Sequence, residues 1–250
     1  MSRDRFTASE LPRPGGELLL DDAQSRHLAR VRRVRPGDEA ELTDGRGLVA
    51  RARFLGLDGG RARLRVLSVR EAGPDAPASV AVACALPKGQ RAARLVRAAT
   101  EAGVSEVWPF VSRRSVVRPP EGEALARLVR VAREAAKQSG RARAPEVAAV
   151  RRIEDVLALA RGFDRAILAE PEGAGPMREA LAGLGRGARV LLVTGPEGGF
   201  DDAERELARS RGLVAASLEC PVMRVETAAA ALAAVVMYAC SEGQSCPRTG

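Results

Sequence analysis

The chain has 250 residues, enough for one large domain or two smaller ones, and its formal net charge is +8. Its four cysteines have no C-x-x-C spacing and lie far from the single histidine, which argues against a zinc site or a disulfide framework. The N-terminus is charged and the longest apolar run, Ala228–Cys240, is too short to span a bilayer, so no membrane association is expected.

Residues 1–72 are predicted to form a small β-barrel with one short helix. The strands Ala40–Thr43 and Leu48–Leu55 flank an Asp-Gly-Arg-Gly turn, which is typical of a hairpin. Arg61–Val69 alternates arginine with apolar residues, as a half-exposed strand does, and a helix is predicted from Asp22 to about Arg30. The Gly/Pro/Ala-rich stretch 71–79 then indicates a linker.

After the linker, strands alternate with helices, which favours an α/β domain over 73–243, followed by a C-terminal tail, 244–250. Asp201 and Glu204 have capping-box spacing at the start of one helix. The predicted strands are Val80–Leu86, Val104–Val111, Arg165–Ala169, Arg189–Thr194 and Ala215–Leu218, and the predicted helices are Gln90–Ala102, Glu121–Ser139, Asp201–Arg211 and Glu226–Cys240.

The first candidate functional motif is the segment 194–200, Thr-Gly-Pro-Glu-Gly-Gly-Phe, between a buried strand and a capped helix. Ligands of open α/β sheets bind just past the carboxyl ends of strands, and glycine lets the backbone approach a ligand closely. The motif is neither a Walker loop nor a Rossmann fingerprint, and a generic turn would look similar.

The second motif, 218–228, leads into the last helix and places Arg224, Glu226 and Thr227 at its start. Taken alone, Glu226 and Thr227 are better explained as helix caps than as catalytic groups.

Basic residues form two further groups. The segment 137–145 is a polar, basic helix end, which glycine capping explains equally well. Lys88 and the pair Arg113 and Arg114 each follow a predicted strand and are expected near the same sheet edge. An arginine excess favours a polyanionic partner, although compositional bias alone would give the same count. At 3% aromatic residues, base stacking on aromatic rings is not the expected mode of RNA binding.

Six motifs in fixed order, at 86–89, 99–104, 112–115, 137–145, 195–200 and 223–228, resemble the RsmE-type 16S ribosomal RNA uridine-N3 methyltransferases of the SPOUT superfamily. The resemblance implies a trefoil-knotted SPOUT α/β domain preceded by a PUA-like β-barrel that binds RNA. The family pattern usually has glycine at the position of Glu219, a basic residue near Pro221, leucine at Met223 and threonine at Val225.

The same resemblance implies S-adenosylmethionine as cofactor and assigns roles to single residues. Arg224 is the candidate for stabilising charge on the uracil oxygens, and Glu226 is either an orienting partner of Arg224 or structural. Gly198→Val is expected to abolish cofactor binding. The implied cofactor-binding residues are Leu168, Thr194, Gly195, Pro196, Glu197, Gly198, Gly199, Leu218 and Met223. The expected RNA-binding residues are Arg26, Arg30, Arg32, Arg33, Lys88, Arg113, Arg114 and Arg141.

The implied partner is 16S ribosomal RNA in the small ribosomal subunit, and the implied assembly is a homodimer with the closing helix at or near its interface. We therefore expect a cytoplasmic enzyme that uses no metal. Two alternatives stay open: a non-catalytic RNA-binding or ribosome-assembly factor with the same fold, and a knotted methyltransferase that acts on another RNA.

Overall fold

The computed structural model describes residues 5–31, 34–115, 122–171 and 173–242. The chain divides into two compact units. The first unit comprises residues 1–75 together with 136–144, and the second comprises 76–135 and 145–250.

The first unit is built on a five-stranded, mostly antiparallel sheet with the order β1-β3-β4-β5-β2. Its elements are β1 (Arg5–Thr7), β2 (Glu17–Leu19), β3 (Glu39–Thr43), β4 (Leu48–Asp58), β5 (Arg61–Glu71) and helix α1 (Asp22–Arg26), which continues as a π-helix over His27–Val31. The predicted hairpin and the alternating strand are confirmed, because Ala62, Leu64 and Val66 of β5 are fully buried while the arginines between them are exposed.

The exposed arginines of this sheet form ion pairs with nearby carboxylates. Glu39 forms ion pairs with Arg51 and Arg53, and Glu17 forms ion pairs with Arg63 and Arg65. The high arginine count of β4 and β5 is therefore largely balanced within the sheet and does not by itself indicate a polyanionic partner.

The segment 136–144 packs in the first unit through backbone hydrogen bonds. The Asp75 carboxylate accepts from the N–H groups of Ala142 and Arg143, at 3.0 and 3.2 Å. The Ala142 carbonyl accepts from the Thr43 hydroxyl and from the Gly47 N–H, both at 3.1 Å. Asp75, in the middle of the predicted linker, thus fixes a part of the chain that is distant in sequence.

The second unit is built on an eight-stranded sheet in which every pairing is parallel. The order is β11-β13-β10-β12-β6-β7-β8, and β9 also pairs with β7. The strands are β6 (Ser79–Ala85), β7 (Glu106–Val111), β8 (Glu146–Val147), β9 (Arg151–Arg152), β10 (Arg165–Ala169), β11 (Gly175–Pro176), β12 (Arg189–Thr194) and β13 (Val214–Ser217). Central strands such as β12 are covered on both faces, which explains their continuous apolar sequence.

Helices cover both faces of this sheet. They are α2 (Gln90–Glu101), α3 (Glu123–Gln138), α4 (Ile153–Ala158), α5 (Met177–Ala180), α6 (Asp202–Ser210) and α7 (Val225–Glu242), with a 3₁₀ turn at Leu159–Gly162. One apolar cluster contains buried residues of α2 and α7, and the other contains residues of α4 and α6. The capping box is confirmed: the Asp201 carboxylate accepts from the Glu204 N–H, and the Glu204 carboxylate accepts from the Asp201 N–H.

Within the described ranges, no helix is long and apolar enough to cross a membrane. The same part of the chain contains no group of three or more histidine, cysteine or acidic side chains arranged to hold a metal ion.

Candidate functional site

A cavity of about 370 Å³ lies in the second unit, at the carboxyl ends of three neighbouring strands. The strands β13, β10 and β12 are adjacent and parallel, so their last residues, Ser217, Ala169 and Thr194, come together at one sheet edge. This is where open α/β sheets place ligands, and the volume lies in the usual range of small-molecule sites. Two loops form most of the wall: loop A, residues 194–200, and loop B, residues 218–224.

Loop A is a rigid turn. The Gly199 N–H donates to the Pro196 carbonyl at 2.9 Å, and Gly199 has a φ of +68°. Phe200 is 1% exposed and stacks on Phe110 at a ring-centroid distance of 6.4 Å. A Cβ atom on Gly195 would lie only 3.0 Å from the Phe200 ring, so a larger residue there would have to displace the ring by a few tenths of an ångström.

Loop B contains Glu219, whose φ of +55° is the only left-handed value of a non-glycine residue in the described part of the chain. A side chain in this conformation carries a backbone cost that glycine, the residue that the family resemblance leads us to expect here, would avoid. Glu219 does not line the cavity: its carboxylate accepts a 2.7 Å hydrogen bond from Arg178, and its N–H donates to the Ser217 hydroxyl.

Arg91, in the first turn of α2, joins both sides of the site. Its guanidinium donates to both oxygens of Glu226, at 2.9 and 2.8 Å, and to Glu197 in loop A at 2.9 Å. The hydrogen bond from Arg91 is the main reason that the pKa of Glu226 lies below its usual value, and burial opposes this shift. Glu226 is therefore a firmly ionised carboxylate engaged by Arg91, and it does not line the cavity.

Arg224 does line the cavity, and it is exposed to solvent. Its carbonyl accepts from the N–H groups of Thr227 and Ala228, at 2.9 and 2.8 Å, so its backbone is fixed at the start of α7. Over the residues that the structure describes, its guanidinium forms no hydrogen bond or ion pair, which leaves it available to a ligand.

The predicted cofactor residues separate into two groups. Leu168 is 3% exposed and belongs to the apolar cluster that contains residues of α4 and α6, because strand alternation turns Ala169 rather than Leu168 toward the cavity. Gly198 also lies outside the lining, and its carbonyl accepts from Arg114 at 2.9 Å. The other seven line the cavity: Thr194, Gly195, Pro196, Glu197, Gly199, Leu218 and Met223.

The residues predicted to bind RNA have different environments. Arg113 and Arg114 contact the segment 198–204: the Arg113 N–H donates to Glu204, and the Arg114 guanidinium donates to Gly198. Arg141 is half-buried, and desolvation lowers its pKa while the Asp75 charge opposes this. Arg26 and Lys88 are exposed, Arg30 belongs to the π-helix, and Arg32 and Arg33 lie outside the described residues.

The family resemblance also implied a cofactor loop at 168–170, and Ala169 and Glu170 of that loop line the cavity. Sequence reasoning missed two ion-pair supports of the site. One is Arg91, and the other is the ion pair of Arg205 with the buried Glu170, with a separation of 2.7 Å between Nε and Oε1. A signal existed for Glu170, since a charged residue directly after a buried strand needs a partner. Arg91 carried no local signal beyond its place on the polar side of an amphipathic helix.

Comparison with known proteins places this site in a class. A family described as "RNA methyltransferase domain" matches residues 74–237, and one described as "RNA methyltransferase PUA domain" matches residues 20–67. The fold is therefore that of an RNA methyltransferase.

Individual relatives narrow the class. A Mycobacterium bovis protein named "Ribosomal RNA small subunit methyltransferase E" is 35% identical over 241 residues, which cover 92% of this chain and 90% of that protein. A Bacillus subtilis protein of the same name is 27% identical over 210 residues, or 81% of this chain and 82% of the relative. The crystal structure of the Neisseria gonorrhoeae protein of that name, bound to S-adenosyl methionine, is 27% identical and covers 96% of this chain and 98% of its own, with a TM-score of 0.74. The chain belongs to the ribosomal RNA small subunit methyltransferase E family.

Proposed function

We propose that the protein transfers a methyl group from S-adenosylmethionine to N3 of a uridine in 16S ribosomal RNA of the small ribosomal subunit. The observation that carries the proposal is the cavity between loop A and loop B, with Arg224 in its wall and no described residue paired with its guanidinium. The relatives' name supports the small-subunit substrate, and the gonococcal structure supports the cofactor. The uridine-N3 specificity rests on the RsmE-type motifs.

The residues of the cavity fit this cofactor. Leu218, Met223 and Leu232 supply apolar surface that can enclose an adenine, while the backbone of loop A offers polar groups for its edge. The volume of about 370 Å³ suits a ligand the size of a nucleoside with an amino-acid tail. Bound S-adenosylmethionine would supply a methyl group on a positively charged sulfur.

The chain itself has to hold the acceptor base in line with that methyl group and keep water out. N3 of uridine carries a proton at neutral pH, so negative charge develops on the neighbouring uracil oxygens as this proton leaves. The free guanidinium of Arg224 is the group best placed to stabilise that charge. Both carboxylate oxygens of Glu226 bond to Arg91, which favours a structural role for Glu226 over that of an orienting partner of Arg224.

RNA binding is assigned to the N-terminal PUA-like unit, with support from Lys88 in the methyltransferase unit. Replacing Arg30, Arg32 and Arg33 with alanine should weaken RNA binding and lower its salt dependence, since each phosphate contact contributes about one unit of salt slope. An unchanged salt slope would contradict this assignment.

The proposal includes a homodimer formed through α7, a cytoplasmic location and the trefoil knot of the SPOUT superfamily. One side of α7 is buried, with Ala229, Val236 and Cys240 at 0% exposure, while Tyr238 on the same helix is 65% exposed. Light scattering should give twice the chain mass of 26.4 kDa. A monomer mass would remove the dimer from the proposal.

The direct test incubates the purified chain with small ribosomal subunits and labelled S-adenosylmethionine and identifies the modified nucleoside by mass spectrometry. We expect 3-methyluridine in 16S RNA. Label in another RNA would favour a methyltransferase with a different acceptor, and cofactor-independent RNA binding without any label would favour a non-catalytic assembly factor.

A further inference from the structure

Arg91 bonds at the same time to loop A and to the first turn of α7, which directly follows loop B. Glu197 belongs to loop A, and Glu226 lies two residues after the end of loop B, in the first turn of α7. The two carboxylates are 51% and 13% exposed, and the Arg91 side chain between them is 33% exposed. The three bonds are 2.8–2.9 Å long, which is typical of charge-assisted hydrogen bonds.

We propose that Arg91 is a positioning residue that fixes the separation of loop A from the start of α7 and thereby keeps Arg224 free to face the acceptor base. This inference rests on the proposed function, because it specifies how the same cavity is held in its working shape. Arg91 itself does not line the cavity.

We call the three hydrogen bonds of Arg91 to Glu197 and Glu226 the Arg91 clamp. The helix that carries Arg91 is anchored in the core and can hold this clamp in place. Leu95, Val96 and Ala99 of α2 are fully buried in the cluster that also contains buried residues of α7. Arg91 lies in the first turn of this anchored helix, so movement of loop A relative to α7 would stretch at least one of the guanidinium's hydrogen bonds. A lysine could not reproduce this geometry, because an ammonium group lacks the planar fork that engages both oxygens of a carboxylate.

The clamp also determines whether the Arg224 side chain pairs with Glu226. Glu226 is two residues from Arg224 in sequence, and the Arg224 charge contributes to the low pKa of Glu226. Without Arg91, Glu226 would be an uncompensated, mostly buried carboxylate, and Arg224 would be the cation next along the chain to pair with it. Such a pair would remove from the cavity the charge that catalysis requires.

The experiment compares Arg91→Gln and Arg91→Lys with a matched control, Arg94→Gln, in the full-length protein. Arg94 lies in the same helix, is exposed and makes no polar contact to any described residue. Three quantities are measured: the Kd for S-adenosylmethionine by calorimetry, kcat for methyl transfer, and KM for small ribosomal subunits. Melting temperatures and circular dichroism establish that each variant is folded.

We expect Arg91→Gln to raise the cofactor Kd about tenfold and to lower kcat by about 10- to 100-fold, the loss that a misplacement of about 1 Å produces. KM for subunits should stay within about twofold of the wild type. Arg91→Lys should recover part of kcat, and Arg94→Gln should match the wild type in cofactor Kd and kcat. The variant Glu226→Gln should lower kcat as Arg91→Gln does, with little further loss in the double variant.

Equal kcat and cofactor Kd for Arg91→Gln and Arg94→Gln would overturn the inference, as would a defect confined to KM for subunits, which would make Arg91 an RNA contact. If Arg91→Gln fails to fold, Glu197→Gln breaks one arm of the clamp alone and should lower kcat less but in the same direction, and wild-type kcat there would overturn the inference. A wild-type chain that binds no S-adenosylmethionine would instead remove the proposed function and the inference together.

Discussion

Gly195 and Gly198 in loop A make a matched pair for testing how the cavity is built. A Cβ atom on Gly195 would lie 3.0, 3.2 and 3.3 Å from three atoms of the Phe200 ring. The ring cannot move aside, because it is 1% exposed and stacked on Phe110. A Cβ atom on Gly198 would lie 3.5 Å from the Arg114 side chain, an ordinary contact, and Gly198 does not have a positive φ.

The two alanine variants should therefore differ in their effect on the free energy of unfolding. Gly195→Ala overpacks a rigid site and should destabilise the protein by about 1–3 kcal/mol, or roughly 2–4 °C of melting temperature per kcal/mol in a chain of this size. Gly198→Ala should be neutral or stabilise by up to about 1 kcal/mol, because alanine restricts the unfolded chain more than glycine does.

Urea denaturation followed by circular dichroism measures the stability difference, and a calorimetric titration with S-adenosylmethionine measures its effect on the cavity. Gly195→Ala should weaken cofactor binding while Gly198→Ala leaves it near the wild-type value. This replaces the expectation from sequence that Gly198 is the sensitive glycine. A Gly198→Ala variant less stable than Gly195→Ala, or wild-type behaviour of Gly195→Ala in both assays, would refute the reasoning.

Three further predictions concern other residues of the second unit. Burial raises the pKa of the Cys84 thiol to about 12. The thiol's contribution to stability is therefore complete below pH 9 and falls by about 1.4 kcal/mol per pH unit between pH 9 and 12. Cys84→Ala should remove this fall from the free energy of unfolding measured against pH, and an unchanged pH dependence would contradict the raised pKa. Glu219→Gly should be about 1 kcal/mol more stable than Glu219→Ala in urea titrations. Both variants lose the ion pair with Arg178, but only glycine relieves the left-handed backbone conformation. Equal stabilities would mean that this conformation carries no cost. Arg224→Ala should lower kcat by about 10²- to 10³-fold with less than a twofold change in cofactor Kd, and a loss of cofactor affinity alone would make Arg224 a binding residue.

Most elements of the second unit could be predicted because their strands are buried on both faces and have uniformly apolar sequences. The strands Arg165–Ala169 and Arg189–Thr194 match their predicted bounds. The elements that sequence reasoning missed are short, such as the helix Met177–Ala180 and the two-residue strand Arg151–Arg152, which contain too few residues for a period to be recognised. The strand Arg5–Thr7 pairs in parallel with residues 41–43, a long-range contact without a local signature.

The candidate site was predictable where a distinctive segment directly follows a strand and not where contacts are distant in sequence. The segments of loop A and loop B were recognised as motifs in the sequence, and seven of the nine cofactor residues that the family resemblance implied line the cavity. The sequence pattern placed Leu168 on a strand but did not decide which of its faces meets the cavity. Arg91 is 106 residues from Glu197 and 135 from Glu226, so nothing local connects them. From the sequence alone, helix capping was the better explanation of Glu226, and only the structure identified Arg91 as its partner.

A calorimetric titration of the purified chain with S-adenosylmethionine tests the central claim, that loop A and loop B enclose a site for a methyl donor. The account predicts saturable binding of one cofactor per chain, which Gly195→Val strongly weakens while Arg94→Gln leaves it intact. A flat titration of the folded wild-type protein, or equal affinity for wild type and Gly195→Val, would contradict it.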